Sequence, residues 1–257
     1  MASLQSELYE RFKALHDGPG FVMPNAWDGL SARMIARAGF PATATSSAAL
    51  AHGLGLEDGR HQVSREVHLR HAQLIEAASG LPVNGDLEDG YGESADDVAA
   101  TVEAAIAAGL AGAGIEDTTG HPDDPIRNLD DAVARVRAAV DAARGRLVIT
   151  GRTDNFIQGR ADLDDTIRRL TAFADVGADV LYAPMPPDMA AIRAIVDAVA
   201  PRPVNVLVGP WAGSPSTQEL FAAGVRRIST GSALFAKALG TLEHNLAAIA
   251  TGDLAAG

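Results

Sequence analysis

The chain alternates eight short apolar runs, which are typical of buried strands, with helical stretches of roughly ten to fifteen residues. Glycine follows several of the predicted helices, as at Gly39, Gly109 and Gly224. The predicted strands lie near residues 21–24, 41–46, 82–88, 112–116, 147–152, 179–184, 203–208 and 226–230. The predicted helices lie near residues 28–38, 64–79, 94–108, 129–144, 163–176, 187–199, 216–223 and 232–250. Eight βα units predict a (β/α)8 TIM barrel; an open doubly wound sheet is the alternative, disfavoured because no Gly-x-Gly-x-x-Gly motif follows the first strand.

Length and composition set limits on this barrel and on its partners. A chain of 257 residues suits a single barrel domain over residues 1–257, with an N-terminal helix within 1–20 and a C-terminal helix within 232–257. No run approaches about 18 apolar residues, and the acidic N-terminus does not resemble a signal peptide, so we expect a cytoplasmic protein without a membrane span. The net charge of -12 argues against a nucleic acid partner, and the absence of cysteine excludes disulfides and thiolate metal sites.

Two acids, Asp86 and Glu88, lie at the end of the third predicted strand, in the segment Asn84-Gly-Asp-Leu-Glu-Asp-Gly-Tyr-Gly92. Residues two apart on a strand project from the same face, so the two carboxylates are expected side by side. Such a pair is tolerated when a cation or a proton lies between its members. Oxygen ligands without cysteine favour Mg²⁺ or Mn²⁺ over zinc. The alternative is a polar turn whose acids are solvated.

Other predicted strands also end in polar side chains, at the rim where barrels of this kind carry their active sites. These residues are Ser46 and Ser47 after the second strand, Glu116 and Asp117 after the fourth, Arg152 and Asp154 after the fifth, and Asn205 in the seventh. Some of them could form structural salt bridges, but their recurrence at strand ends favours a functional site. Arg226 and Arg227 open the last strand, where a carboxylate ligand or, more commonly, a salt bridge to a neighbour would satisfy them.

Eight short motifs follow one another between about residue 21 and the C-terminal helix. They are Met23-Pro-Asn-Ala-Trp-Asp28, Thr45-Ser-Ser-Ala-Ala49, Gly55-Leu-Glu-Asp-Gly59, Asp86-Leu-Glu-Asp-Gly-Tyr-Gly92, Gly114-Ile-Glu-Asp117, Gly151-Arg-Thr-Asp154, Pro203-Val-Asn-Val206 and Gly224-Val-Arg-Arg-Ile-Ser229. In this order and spacing, they make the chain resemble the isocitrate lyase/phosphoenolpyruvate mutase superfamily. The resemblance implies a (β/α)8 barrel whose last helix is exchanged between subunits, usually in a homotetramer built from dimers. It also implies Mg²⁺ and a small carboxylate substrate, with a C–C or P–C bond cleaved or formed next to a pyruvate-type enolate.

The resemblance also assigns roles to individual residues. Asp86 and Glu88 correspond to the acids that hold Mg²⁺, partly through water, and Glu116 to the acid that supports the metal-bound waters. Asp58 corresponds to an acid that approaches the same waters, although an ordinary turn acid is an equal alternative. The substrate-binding roles fall on Ser46, Ser47 and the backbone N–H groups that follow, on Arg152, which would also stabilise enolate charge, on Asn205, near a second carboxylate, and on Trp27, at the base of the pocket.

The loop after the fourth strand departs from the pattern of the best-known lyases of this superfamily. Isocitrate and methylisocitrate lyases carry Lys-Lys-Cys-Gly-His there, with the cysteine as acid/base, whereas this chain has Thr118-Thr-Gly-His-Pro-Asp-Asp-Pro125. His121 is the remaining candidate for the proton donor, with an exposed loop histidine as the commoner alternative. Isocitrate and methylisocitrate cleavage are therefore not expected. A decarboxylase or hydrolase of the oxaloacetate type, another small-acid lyase, a phosphonopyruvate mutase or hydrolase, and a non-catalytic α-keto-acid-binding protein stay open.

Overall fold

Eight parallel strands form the barrel in the computed structural model, which describes residues 4–209 and 213–253. The strands are β1 (Phe21–Met23), β2 (Thr43–Ala44), β3 (Val83–Asp86), β4 (Gly112–Glu116), β5 (Val148–Arg152), β6 (Val180–Tyr182), β7 (Val204–Leu207) and β8 (Arg227–Ser229). The sheet order is β1-β8-β7-β6-β5-β4-β3-β2, and a bridge between Asn25 and Ala44 brings the β1 and β2 edges together. The predicted TIM barrel is thereby confirmed. Of the predicted domain, residues 1–3, 210–212 and 254–257 lie outside the described residues.

Helices alternate with these strands and start where the sequence supplies caps. They are α1 (Leu4–His16), α2 (Gly29–Arg37), α3 (Ser47–Gly53), α4 (Arg65–Ser79), α5 (Ala95–Ala107), α6 (Leu129–Ala143), α7 (Leu163–Asp175), α8 (Met189–Val199), α9 (Thr217–Ala222) and α10 (Ala233–Ala250). The side chains of Ser94, Asp162 and Ser216 accept backbone N–H groups in the first turns of α5, α7 and α9. None of the helices in the described part of the chain is both long enough and apolar enough to cross a membrane.

The region after β2 differs from the sequence-based prediction. The predicted strand over residues 41–46 is only Thr43–Ala44, and helix α3 follows it at once. Ser46 starts this helix because its hydroxyl accepts the Ala49 backbone N–H at 3.2 Å. A helix of seven residues is too short to show a helical repeat in the sequence, so it was not predicted.

Helix α1 closes the amino-terminal end of the barrel. Its residues Leu8, Tyr9 and Phe12 are buried in one apolar cluster with Phe21 and Val148, which lie at the starts of β1 and β5. The side-chain amide of Gln5 also donates to the backbone carbonyls that precede β4 and β5, at 2.9 and 2.8 Å. The helix therefore keeps water away from the bottom of the barrel.

His16, at the end of α1, is expected to make folding sensitive to acid. Its Nδ1 lies 2.9 Å from the Phe12 carbonyl, and burial, with a smaller contribution from the Arg227 charge, lowers the pKa of His16 from 6.5 to about 3. The unfolded chain therefore binds more protons than the folded chain between these pH values. This histidine should remove about 1.4 kcal/mol from the unfolding free energy for each pH unit below 6.5, the unfolded value.

Urea unfolding between pH 7 and pH 4.5 tests this effect. The control is His16→Gln, which keeps a polar side chain but does not titrate. Wild-type unfolding free energy should fall more steeply with acid than that of the variant. Equal slopes for the two proteins would show that His16 is hydrated or protonated in the fold.

Candidate active site

Two adjoining cavities lie at the carboxyl ends of the strands. The inner cavity has a volume of about 160 Å³ and reaches down into the barrel between Asp86, Tyr182 and Asn205. The outer cavity has a volume of about 340 Å³ and is lined by Glu116 and the loop with His121. The residues that line both cavities are Ser47, Asp58, Arg152 and Ile157. This is the rim at which the polar strand ends predict an active site.

Arg152, the last residue of β5, lies at the junction of the two cavities. Its Nη1 is 3.2 Å from Asp86 Oδ1 and 3.0 Å from Glu116 Oε2, while Nε and Nη2 donate to the two oxygens of Asp154 at 2.6 and 2.8 Å. Burial alone would lower the pKa of Arg152, but the charges of Asp154, Glu116 and Asp86 outweigh it and raise that pKa well above its usual value. The arginine is therefore a fixed cation held by carboxylates from three strand ends.

Glu116 ends β4 with a carboxylate that is costly to keep charged. Burial raises the pKa of Glu116 well above its usual value, and the charges of Asp154 and Asp86 raise it further, whereas Arg152 opposes the shift. The Thr118 hydroxyl donates to Glu116 Oε1 at 2.7 Å and fixes the orientation of the carboxylate. A second cation near this group would stabilise its charged form.

Asp86 ends β3 and is held by the start of α3. Both the backbone N–H and the hydroxyl of Ser47 donate to Asp86 Oδ2, each at 2.8 Å. The predicted substrate-binding residues Ser46 and Ser47 do line the inner cavity. In this structure, however, the Ser46 hydroxyl accepts a backbone N–H of α3, and both donors of Ser47 bind Asp86.

Glu88 lies beyond the end of strand β3, so only Asp86 of the predicted pair projects from the strand, but Glu88 lines the outer cavity with Glu116. Strand β3 ends at Asp86, and the backbone then turns, with Glu88 in the left-handed region at φ 50. Its buried carboxylate lies 3.3 Å from His68 Nε2 and 3.5 Å from His61 Nε2. The strand therefore ends two residues earlier than the sequence predicts.

Asp58 and His121 lie on loops over the site, as predicted. Asp58 lines both cavities; its partial desolvation and the charges of Asp86 and Glu88 raise the pKa of Asp58. His121 is exposed and lines the outer cavity. The two loops touch, because a Cβ at Gly120 would lie 2.8 Å from the ring of His61.

The remaining predicted residues divide into one inside the site and one outside it. Asn205 lines the inner cavity and donates to the Ser229 hydroxyl at 2.9 Å. Trp27 is not among the residues lining either cavity; its ring packs on Phe235 of α10 at 5.8 Å between centroids. A tryptophan beside a motif is therefore not by itself evidence for a pocket wall.

Arg227 lines the inner cavity, and its sequence position predicts either a ligand contact or a salt bridge. No ion pair to Arg227 is present among the described residues. The pattern Arg227-Ile228-Ser229 indicates that Arg227 faces the barrel interior. The apolar Ile228 packs in the core outside the barrel, and its two neighbours on the strand must then face inward.

The carboxylates at this rim fit Mg²⁺ held partly through water. Among residues 4–209 and 213–253, no three His, Cys, Asp or Glu side chains group closely enough to bind a metal directly. Asp86, Glu88 and Glu116, which were predicted to hold Mg²⁺ partly through water, therefore do not form such a direct group. Mg²⁺ commonly takes one or two carboxylates and keeps several waters, which suits the converging oxygens of Asp86 and Glu116 and the unfavourable burial of Glu116.

The family model for phosphoenolpyruvate phosphomutase matches residues 12–250. The chain belongs to this family. Among solved structures, a candidate lyase/mutase from Burkholderia cenocepacia J2315 is 46% identical, with a TM-score of 0.92 over 96% of this chain and 89% of that chain.

Two further solved structures in the same superfamily carry named activities. Oxaloacetate acetylhydrolase in complex with the product oxalate is 29% identical, with a TM-score of 0.85 over 95% of this chain and 87% of that chain. The 2,3-dimethylmalate lyase, described as a PEP mutase/isocitrate lyase superfamily member, is 25% identical, with a TM-score of 0.86 over 98% of this chain and 88% of that chain. The relatives are thus lyases, hydrolases and mutases of this superfamily, and the chain is an enzyme of the same superfamily.

Proposed function

We propose that the protein is a Mg²⁺-dependent lyase-type enzyme that cleaves a C–C or P–C bond of a small α-keto or 2-hydroxy carboxylic acid through a pyruvate-type enolate. The observation that carries the proposal is the position of Arg152, a partly buried cation held by Asp86, Glu116 and Asp154 where the two cavities meet. A fixed cation in a water-poor site is suited to an oxygen that gains negative charge during the reaction.

Each residue of the site has a separate role in the proposed reaction. Mg²⁺, with Asp86 and Glu116 as its holders and Glu88 and Asp58 supporting its waters, would supply Lewis-acid polarisation of the substrate's oxygens. Arg152 would donate the remaining N–H of Nη2 to the oxygen on which enolate charge develops, and Asp154 fixes the guanidinium plane with two hydrogen bonds.

Two further groups complete the proposed chemistry. His121 is the candidate proton donor, because its loop lines the outer cavity and carries neither cysteine nor lysine. Asn205 is the candidate contact to a distal carboxylate in the inner cavity, and Ser46 and Ser47 place the start of α3 beside the substrate.

The same proposal covers assembly and location. Helix α10 exposes a row of large apolar side chains at Leu239, Leu242, Leu246 and Ile249, and only Phe235 of this helix is buried. An apolar face of this kind is normally covered by another chain, which supports a homotetramer with exchanged C-terminal helices. We propose further that the enzyme is cytoplasmic and that it binds a small carboxylate, but neither nucleic acid nor membranes.

A turnover assay tests the proposed function. Purified protein with Mg²⁺ is offered oxaloacetate, 2,3-dimethylmalate, methylisocitrate and phosphonopyruvate, and pyruvate and oxalate are measured. We expect one substrate to be consumed, with activity lost in EDTA and lowered at least about a hundredfold in Asp86→Ala. Asp96→Ala is the matched control, because Asp96 is an exposed acid on α5. No turnover, with calorimetric binding of an α-keto acid retained, would support the non-catalytic binding protein instead.

A further inference from the structure

Arg227, the first residue of β8, is a buried cation whose contacts are all uncharged. It is 1% exposed, and its nitrogens contact Asn205 Oδ1 at 3.0 Å, Thr150 Oγ1 at 2.9 Å and His16 Nε2 at 3.4 Å. The Phe12 ring lies 6.0 Å from its guanidinium carbon. Each of these partners orients the guanidinium, but none neutralises it.

This lack of an acid sets Arg227 apart from the comparable arginines of the described chain. Arg135 pairs with Asp89 at 3.1 Å, and Arg169 pairs with Asp117 at 3.1 Å and with Asp165 at 2.8 Å. Burial lowers the pKa of Arg227 to about 9, which reflects the cost of the uncompensated charge. A buried charge that is retained without a partner is a candidate for a ligand contact.

The position of Arg227 gives that charge access to the inner cavity. Strand register aligns Arg152 with Tyr182, Tyr182 with Asn205, and Asn205 with Arg227, and these four side chains all line the inner cavity. Arg152 lies 5.4 Å from the Tyr182 ring on one side of this row, and Arg227 contacts Asn205 at the other end. The inner cavity thus has a guanidinium group at each end of one polar row.

We propose that Arg227 binds the second anionic group of the substrate, so that the inner cavity selects small acids with two anionic groups over monocarboxylates. The inference rests on the proposed function, because it assumes that Arg152 receives the reacting end. Three carboxylates already contact Arg152, whereas no carboxylate contacts Arg227 among the described residues. Of the five N–H groups of a guanidinium, the three contacts leave two for a ligand.

The size of the inner cavity agrees with this assignment. Its volume is about 160 Å³, and a protein cavity of about 150 Å³ is large enough for benzene. A carboxylate or phosphonate at the lower end of such a cavity would meet the Arg227 guanidinium directly. The amide of Asn205, already bonded to Arg227, is then placed beside the same anionic group.

Binding of two simple probes tests the assignment without any turnover. Malonate, a dianion, and pyruvate, a monoanion, are titrated calorimetrically with Mg²⁺ present into wild type and Arg227→Gln, with circular dichroism and thermal melting to show that both are folded. We expect the variant to lose at least tenfold in malonate affinity and less than twofold in pyruvate affinity, because one charged hydrogen-bond partner is removed. Equal losses for both probes, or no loss for either, would overturn the proposal.

Asn205→Asp keeps the test decisive if Arg227→Gln does not fold. This variant adds a carboxylate 3.0 Å from Arg227 Nε with almost no change in shape. We expect this variant to have a higher melting temperature, because the buried cation now has a permanent partner. For the same reason, we expect its affinity for malonate to fall more than its affinity for pyruvate. An unchanged melting temperature and unchanged preference between the probes would contradict a free charge at Arg227.

The outcomes of the two proposals are separable. If no acid of the turnover panel is consumed, but Arg227→Gln still loses malonate selectively, the lyase assignment fails and the anion site stands. If a substrate is consumed at equal rates by wild type and Arg227→Gln, and malonate affinity is unchanged, the anion site fails and the enzyme assignment stands.

Discussion

Replacing Arg152 by alanine is expected to lower kcat on the substrate that the enzyme accepts by a hundredfold to a thousandfold, the range for removing one donor that stabilises developing negative charge. The loss falls on kcat because Arg152 meets the charge that appears only as the bond breaks. Three carboxylates would also lose their shared cation in the variant, since Asp86, Glu116 and Asp154 all contact Arg152. Steady-state kinetics at saturating substrate and Mg²⁺ measure the effect.

Two further variants separate charge from shape in this experiment. Arg152→Lys keeps the cation but loses the fork that binds both oxygens of Asp154, so it should recover only part of the activity. Arg33→Ala, at an exposed position on α2, should retain wild-type kinetics. If Arg152→Ala keeps more than a tenth of wild-type kcat while remaining folded, Arg152 does not stabilise the reacting oxygen.

Replacing Asp89 by alanine is expected to lower the unfolding free energy by about 3–5 kcal/mol, the usual cost of leaving a buried charge without its partner. Asp89 Oδ2 accepts from Arg127 Nη2 at 2.7 Å and from Arg135 Nη2 at 3.1 Å. The Arg135 side chain is 1% exposed, so water cannot replace the lost carboxylate. Chemical denaturation at pH 7 measures the loss.

Asp131→Ala is the matched control for the Asp89 experiment. Asp131 also pairs with Arg127, at 2.9 Å, but its side chain is 39% exposed, and an exposed pair contributes at most about 1 kcal/mol. The double variant Asp89→Ala/Arg135→Met should regain part of the lost stability, because it removes the unpaired cation. A loss below 1 kcal/mol for Asp89→Ala would show that water reaches Arg135 in the folded protein.

The barrel and much of its rim could be predicted because both follow from local patterns. Alternating apolar runs and helical stretches predict a closed parallel sheet, and the carboxyl ends of such strands share one rim. Asp86, Glu116 and Arg152 each end a strand, as predicted, and the structure brings them within hydrogen-bonding distance. For these residues, the position along the strand was sufficient to place the side chain.

The contacts that depend on small backbone changes or on distant segments could not be predicted. Glu88 lies in a turn beside His61 and His68 because β3 ends two residues earlier than the sequence indicates. Trp27 packs on Phe235, which is more than 200 positions away in the sequence. The choice of partner for Arg227 depends on which residues of β5, β7 and α1 converge on β8, and no local pattern contains that information.

Helix α1 lies far from the rim, yet it contacts Arg227, which lines the inner cavity. Phe12 and His16 contact Arg227 from below, so the dielectric constant around the guanidinium depends on how tightly this helix is seated. A protein shortened to begin at Asp17 would keep every rim residue and yet let water reach the cation. A purification tag or fusion partner at the amino terminus could therefore change the affinity of the inner cavity for anions. Affinity measurements on this enzyme need controls with and without the tag.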